Sequence, residues 1–396
     1  MRILHVIRGL ANSSGTTHIV GPLAEAQARL GHDVRVIFVE KYGEPPVMPD
    51  PALVRSECFP MTVRSRHFGW SRSYADAISR AVRDVDVVHI HAIWNFVTWW
   101  AMRAAHRANV PYLVAPQGSL EDWALGRSRY PKQLYAKVTE KRYFDRAAAM
   151  QVLTETEADQ CARFGIRGPA KILPNGVDLS VIDRTRDAAD LREEFGFAKE
   201  SVLFIFLGRL FPKKGLDLLI PAFAKLADER ADVGLVVAGH DAGSGYRGEL
   251  EAMVMNSPAH DRIRFIGEVS GDRKFAVLRG ADVFALTSYS EGLPVAVLEA
   301  MACGLPVVIT PGCNIPEVSA HCAGWQVEAN IGSVLEGLRA AANDAAARRR
   351  RGMNGRQLVE EKFTWPSIAE QSISIYEEFF SQSRAARRSG PILTER

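Results

Sequence analysis

Residues 288–308 read Ser-Tyr-Ser-Glu-Gly-Leu-Pro-Val-Ala-Val-Leu-Glu-Ala-Met-Ala-Cys-Gly-Leu-Pro-Val-Val, and no other stretch constrains the fold as tightly. Just upstream, Ala281–Thr287 is a short, apolar, partly β-branched run, the composition of a buried strand. Pro294 stands where a helix would begin, with φ already helix-like and no N–H to lose. Gly304 closes that helix, and Pro306–Thr310 reads as the next strand. Strand, loop, helix, strand is the repeating unit of a parallel sheet. It places the loop Ser288–Leu293 at the carboxyl end of a strand, the edge where open α/β sheets gather ligands.

Two carboxylates flank the helix start. Glu291 lies in the loop, and Glu299 sits among Val295, Val297, Leu298, Ala300 and Met301. An ionised carboxylate in such company is costly unless donors satisfy it, and a ribose diol is such a donor. The free N–H groups around Gly292–Val295 suit a phosphate or an electron-rich sugar oxygen. The plainer alternative is that Glu291 only favours the helix dipole while Glu299 faces solvent. The whole block resembles the Glu-x7-Glu signature of the retaining glycosyltransferases of family 4. That resemblance implies an α/β chain of GT-B fold: two Rossmann-like domains facing each other across a cleft, with a C-terminal helix returning to the N-terminal domain. It further implies that Glu291 orients sugar hydroxyls, that Glu299 holds the ribose, and that Gly292, Leu293, Pro294 and Val295 contact the donor.

Val202–Leu207 is an apolar run of the kind expected of a central parallel strand. It leads into Gly208-Arg-Leu-Phe-Pro-Lys-Lys-Gly215 and a helical pattern from Leu216 to Ala227. Two cations between a strand and a helix N-terminus make an anion site, a guanidinium for a bidentate grip and an ammonium as a point charge. The block is similar to the family's Gly-Arg-Leu…Lys-Gly motif, which implies that Arg209 and Lys214 hold the donor diphosphate and stabilise the leaving group. Lys213 is the neighbouring alternative, and solvated side chains are the plain one. Arg262–Gly267 reads as another strand, where the resemblance puts backbone contacts to the nucleotide base, at Ile266.

In the first half, Ile3–Ile7 reads as a strand, Pro22–Leu30 as a helix and Val34–Val39 as a second strand. The intervening loop lacks Gly-x-Gly-x-x-Gly, so the dinucleotide fingerprint is absent. By resemblance, Gly15 and Thr16 in that loop are donor-binding candidates; a plain flexible loop is the alternative. Asp84–His91 reads as a strand that puts His89 and His91 on one face. The run His89-Ile-His-Ala-Ile-Trp-Asn95 is similar to the family segment whose second histidine meets the donor sugar, which makes His91 a catalytic candidate. A lone histidine is otherwise more often structural. Trp94, Phe96, Trp99 and Trp100 are core, or in part an acceptor platform.

Gln117–Leu125 follows the strand Pro111–Pro116 and resembles a subset of the family that builds bacterial exopolysaccharides or O-antigens, which places it near the acceptor. Tyr130–Arg146 reads as an amphipathic helix with Lys132, Lys137, Lys141, Arg142 and Arg146, suited to anionic lipid or a pyrophosphate-linked acceptor. A solvated surface helix is equally compatible. Ile172–Asp178 is similar to the Pro-Asn-Gly-Val-Asp crossing between the family's domains, followed by a linker over 175–198. Phe363–Trp365 opens a final helix expected to reach about Phe380, with a disordered tail from Ser381.

A chain of 396 residues exceeds one core. The expected domains are 1–180, binding the acceptor, and 181–365, binding the nucleotide-sugar donor, with 366–396 packing back on the first. A net charge of only +3 argues against nucleic acid as a partner. The basic excess falls within 1–180, which suits an anionic acceptor or membrane surface. Five scattered cysteines with no Cys-x-x-Cys pair point to a reducing compartment and no zinc site. Met1–Arg8 is too short and too charged for a signal peptide, and no apolar run approaches ~18 residues. The expected location is cytoplasmic, with the cytoplasmic face of the inner membrane as a peripheral option.

The sequence therefore points to a retaining, metal-independent hexosyltransferase with no cofactor. Its donor would be a UDP- or GDP-sugar and its acceptor a sugar or an undecaprenyl-diphosphate-linked glycan, in cell-surface polysaccharide synthesis. The rival readings are a nicotinamide dehydrogenase, a GT-B sugar-nucleotide epimerase and a non-catalytic partner subunit. The first lacks its fingerprint, and the last would be expected to have lost Arg209, Lys214 or Glu291.

Overall fold

The computed structural model describes residues 1–10, 17–40, 45–61, 70–120, 139–185 and 189–388. Two compact units emerge: Met1–Gly176 together with the C-terminal helix Trp365–Arg388, and Val177–Thr364.

The first unit is built on a parallel sheet of seven strands: β1 (Arg2–Ile7), β2 (Asp33–Val39), β3 (Arg55–Phe59), β4 (Val87–His91), β5 (Tyr112–Ala115), β6 (Ala149–Val152) and β7 (Ala170–Ile172). Their spatial order is β3-β2-β1-β4-β5-β6-β7, so the winding reverses between β1 and β4. β4 is buried along its whole length, as a strand covered on both faces must be. On one face Leu4, Val6, Val88 and Ile90 pack with Tyr74, Val97, Ala101 and Phe144. On the other, Ile3, Ile7 and Val87 pack with Val20 and Ala24 of the helix Thr17–Arg29 and with Ile373, Tyr376 and Phe379 of the C-terminal helix.

Burying each such large side chain is worth about 1.5–3 kcal/mol, which is enough to hold the last helix on this unit. Trp365 anchors its start against Leu23, Ala26 and Leu173. At Gly176 a Cβ would come within 2.9 Å of the Trp365 ring, so this crossing point requires glycine.

The second unit carries a six-stranded parallel sheet: β8 (Val202–Leu207), β9 (Val233–Ala238), β10 (Ile263–Gly267), β11 (Val283–Leu286), β12 (Val307–Ile309) and β13 (Gly324–Gln326). The order is β10-β9-β8-β11-β12-β13, with the reversal between β8 and β11. β8 and β9 are entirely buried, and Leu219, Phe223 and Leu226 of the helix Leu216–Glu229 lie within the core.

Several expectations shift. The linker region contains the short helices Leu179–Arg184 and Leu191–Phe195, each opened by an aspartate cap, Asp178 or Asp190. The last helix continues past Phe380 to Arg388, because Ala385-Ala-Arg-Arg388 are strong helix formers and the breakers Gly390-Pro391 come only later. Of the basic segment 130–146, residues 130–138 lie outside the described residues. The described part is a single helical turn, Lys141–Phe144, with Tyr143 and Phe144 buried. Residues 121–125 of the Gln117 loop also lie outside. Among the described residues no helix is long and apolar enough to cross a membrane.

Candidate active site

At the β8/β11 reversal, the loop after β8 and the loop after β11 are tied to each other by backbone. Tyr289 N donates to Lys213 O (2.8 Å), and the Thr287 hydroxyl donates to Gly215 O (2.6 Å). Gly215 has φ +70, and a Cβ there would lie 1.9 Å from Thr287 O, so the contact admits only glycine.

This registration brings Lys214 Nζ to 2.8 Å from Glu291 Oε1, and Lys213 Nζ to 3.9 Å from Oε2. Ser288 Oγ donates to Glu291 Oε1 at 2.7 Å, and Asn314 Nδ2 donates to the Glu291 carbonyl. Glu291 is only 6% exposed, and Lys214 Nζ and Ser288 Oγ supply its carboxylate with the partners a buried polar group needs. Arg209 is exposed on the same loop as Lys214 and makes no ion pair to a described residue. A cationic edge with one carboxylate inside it can bind an anion and place an acceptor oxygen beside it.

The helix Val295–Ala302 begins at Pro294 without a side-chain cap, which leaves first-turn N–H groups at the same edge. Gly292 and Val295 are partly exposed there, while Leu293 and Pro294 are buried. Glu299, on this helix, is paired with Lys274 Nζ at 2.6 Å. At Ile266 the pairing of β10 with β9 slips: Phe265 faces Val237 and Gly267 faces Ala238, so Ile266 is the extra residue of a bulge. Bulges free backbone groups from the ladder and favour the neighbourhood of sites.

In the first unit, His5, His89 and His91 form a fully buried cluster on one face of β1 and β4, with candidate ligand atoms within 4.8 Å of one another. Each of the six ring nitrogens has a partner. His5 Nδ1 meets His91 Nε2 (2.9 Å) and His5 Nε2 meets Gln27 Oε1 (2.7 Å). His89 Nδ1 meets the Tyr376 hydroxyl (2.6 Å) and its Nε2 meets Gln151 Oε1 (3.0 Å). Gln117 Nε2 reaches His91 Nδ1 at 3.3 Å. Burial pushes His5 down to about 4 and His89 to about 3, and lowers His91 well below the usual range. The cluster is therefore neutral.

Just past β4, Ala92 and Trp94 both have φ +67. Glu140 accepts the Trp94 N–H there at 3.2 Å, and burial raises its carboxyl to about 8.

The structure thus brings Lys214, Glu291 and the start of the Val295 helix together in the second unit, with Arg209 on the adjoining loop. His91 lies in the first unit, buried with both nitrogens engaged. Gly15 and Thr16 lie outside the described residues. Sequence reasoning missed Ser288 and Asn314 around Glu291, Lys274 beside Glu299, and the partners of the histidines. Ser288 could have been found as the residue three before Glu291; Lys274 and Asn314 carry no local signal.

Two doubly wound parallel sheets, one with a lysine-bearing loop pair at its reversal, define a two-domain protein of the GT-B class. Residues 187–358 match the model described as "Glycosyl transferases group 1", and residues 14–176 match the "Glycosyl transferase 4-like domain". The chain belongs to the family 4 glycosyltransferases. A D-inositol 3-phosphate glycosyltransferase of Mycobacteroides abscessus is 28% identical over 310 residues, covering 76% of this chain and 68% of the relative. An uncharacterized glycosyltransferase of Methanocaldococcus jannaschii is 26% identical over 375 residues, covering 89% and 92%. Among solved structures, sucrose-phosphate synthase from Thermosynechococcus elongatus superposes with TM-score 0.72 at 19% identity, over 96% of this chain and all (100%) of the other. Anabaena HepE in complex with UDP and glucose gives TM-score 0.72 at 18% identity, over 96% and 100%.

Proposed function

We propose that the protein transfers a hexose, with retention, from a UDP- or GDP-sugar to a sugar or lipid-linked oligosaccharide acceptor. The observation that carries this reading is the Lys214–Glu291 pair at the β8/β11 reversal, with Arg209 exposed on the same loop as Lys214. In this reading the second unit holds the donor. Diphosphate oxygens carry more charge than one carboxylate, so they draw the Lys214 ammonium and leave Glu291 to accept from sugar hydroxyls. The bond from anomeric carbon to phosphate oxygen breaks through an oxocarbenium-like state, and Arg209 and Lys214 offset the charge growing on the diphosphate. The acceptor oxygen forms the new bond on the same face, and its proton passes to the departing phosphate oxygen.

These groups balance the reaction without a metal or a cofactor, and Glu291 orients rather than attacks. The bulge at Ile266 supports backbone contact to the base, and Glu299 is the ribose partner, sharing Lys274. His91, enclosed as it is, serves by shaping the loop after β4 rather than by touching the sugar with its ring. The acceptor belongs to the first unit, whose basic excess suits a phosphorylated or undecaprenyl-diphosphate-linked glycan at the cytoplasmic face of the inner membrane. Cell-surface polysaccharide synthesis is the process we assign.

A thermal-shift screen with UDP, GDP, ADP and NAD, without metal, tests the donor site, because binding to the native state raises its stability. UDP or GDP should raise the melting temperature, and a shift with NAD alone would overturn the reading. Nuclear magnetic resonance of the product then reads the anomeric configuration. Conversion of the sugar nucleotide without an acceptor would favour the epimerase.

A further inference from the structure

We infer that Glu140 is a positioning residue for the transfer reaction: from behind the carboxyl edge of the first sheet, it holds the strained turn Ala92–Asn95 in the shape that meets the acceptor. The inference rests on the glycosyl-transfer reading and deepens it. β4 ends at His91, and Ala92 N still donates to Ala115 O of β5 (2.9 Å), so the strand keeps its register to the last bond. Ala92 and Trp94 then both adopt φ +67. A side chain at positive φ crowds its own backbone. Here two non-glycine residues, one of them a tryptophan, do so almost side by side.

The turn's own bonds do not account for that shape. Asn95 caps the helix Phe96–Ala108 in the ordinary way, with Oδ1 accepting from Thr98 N (3.0 Å). Its Nδ2 donates to Ile93 O (3.2 Å), which leaves the Trp94 and Asn95 N–H groups over. Both donate to Glu140. Trp94 N lies 3.2 and 3.3 Å from the two carboxyl oxygens, and Asn95 N is the second backbone donor. In an exposed loop water would meet such groups. Here they are served by a carboxyl with no exposed surface, 46 residues along the chain from Trp94.

Glu140 is itself fixed from outside the turn. Thr139 O accepts from Trp99 Nε1 (3.1 Å), Tyr143 O accepts from the Tyr112 hydroxyl (2.6 Å), and Tyr143 and Phe144 lie in the core. The carboxyl thus stands on a rigid base, and the turn bends to it. Burial raises it to about 8, so the fold holds this group against a desolvation penalty that a glutamine of similar size would not incur. A destabilising buried group that holds a strained backbone is the arrangement that persists at functional sites. An open donor marks the same place: Trp94 Nε1 is enclosed and has no partner among the described residues. The turn follows β4 at the β1/β4 reversal, where sheets of this class take their ligands.

The test compares the full-length protein with Glu140→Gln, which offers one carboxyl-type oxygen where the turn uses two, and with Glu140→Ala, which offers none. Backbone ¹³C and ¹⁵N shifts should report a left-handed conformation at Ala92 and Trp94 in the unaltered protein and a departure from it in the variants; shifts unchanged in both overturn the inference. Transfer is read at pH 8 as release of UDP or GDP from UDP-glucose, UDP-galactose, UDP-N-acetylglucosamine or GDP-mannose, with methyl glycosides of glucose, galactose and mannose as acceptors. Release should fall about 10-fold in Glu140→Gln and about 10²-fold in Glu140→Ala, the scale of a site displaced by up to about 1 Å. The dissociation constant for UDP or GDP should stay within about twofold, and Glu140→Gln should melt no lower than the unaltered protein. A merely structural glutamate gives another pattern, in which activity is lost only as stability is lost. That pattern, or unchanged release in both variants, overturns the inference. Failure of the unaltered protein to release nucleotide from any of these donors would instead sink the glycosyl-transfer reading and leave the backbone shifts to decide whether Glu140 holds the turn.

Discussion

Lys214 and Glu291 come from the two loops that flank the strand reversal of the second unit, and their charged atoms stand 2.8 Å apart. Neither loop alone could set that distance; the bonds from Tyr289 N to Lys213 O and from Thr287 to Gly215 O do. Lys214→Ala should therefore lower kcat by about 10²–10³-fold, the range for loss of one preorganised charge-stabilising donor. Diphosphate affinity should fall with it. Lys213, at 3.9 Å from Glu291, is the comparison: Lys213→Ala should cost less than Lys214→Ala. Steady-state kinetics of the two variants decide, and equal losses would remove the distinction.

Glu299, mostly buried, is paired with Lys274 at 2.6 Å, and its carboxylate can still accept from a diol. Glu299→Gln should weaken UDP or GDP about 10-fold, as loss of a charge-assisted hydrogen bond does. The loss should vanish when the nucleotide is the 2′,3′-dideoxy form. Calorimetry on both nucleotides with both proteins reads this directly, and an equal loss with the dideoxy form would separate Glu299 from the ribose.

Much of this was readable in the chain. The helix over Val295–Ala302 follows from Pro294 and Gly304, and the strands of the second unit follow from unbroken apolar runs such as Val202–Leu207. Lys214 and Glu291 were visible as residue types at the ends of strands. Their pairing was not, because it depends on strand order and on contacts across more than seventy positions. The histidine chain was legible only as two residues on one face of β4. Its other members, Gln27, Gln151 and Tyr376, lie in ordinary amphipathic or apolar segments, and only the docking of the last helix joins them. The surplus length of that helix could have been found from the absence of glycine or proline before Gly390.

Gly215 offers a prediction about stability. With φ +70 and its pro-Cβ position 1.9 Å from Thr287 O, Gly215→Ala must strain the backbone and push the two site loops apart. We expect at least ~2 kcal/mol of destabilisation, together with loss of turnover in the protein that remains folded. Gly243 has φ +77 but nothing within 4 Å, so Gly243→Ala should cost only about 1 kcal/mol. Urea denaturation of the pair separates steric collision from conformational strain, and similar losses would argue against the collision.

Two buried groups should oppose each other in the pH dependence of stability. The histidines are held below their unfolded value of 6.5, His5 at about 4 and His89 at about 3. Between those values the unfolded chain binds more protons than the folded one. Their contribution is therefore whole above pH 6.5 and is lost as pH falls toward 4 and 3, by up to ~1.4 kcal/mol per unit for each histidine. Glu140 is raised from 4.5 to about 8, so its sign is reversed. Below 4.5 it is neutral in both states; from there to 8 the unfolded chain ionises first, and stability falls as pH rises. Glu140→Gln removes that slope while keeping an oxygen for the Trp94 N–H. The variant should thus gain stability relative to the parent as pH rises from 4.5 to 8, on the order of a few kcal/mol at the upper end, with no growing gain below 4.5. Urea titrations of both proteins at pH 4.5, 6 and 8 give the difference directly. Parallel profiles would mean that Glu140 ionises in the fold as it does in water.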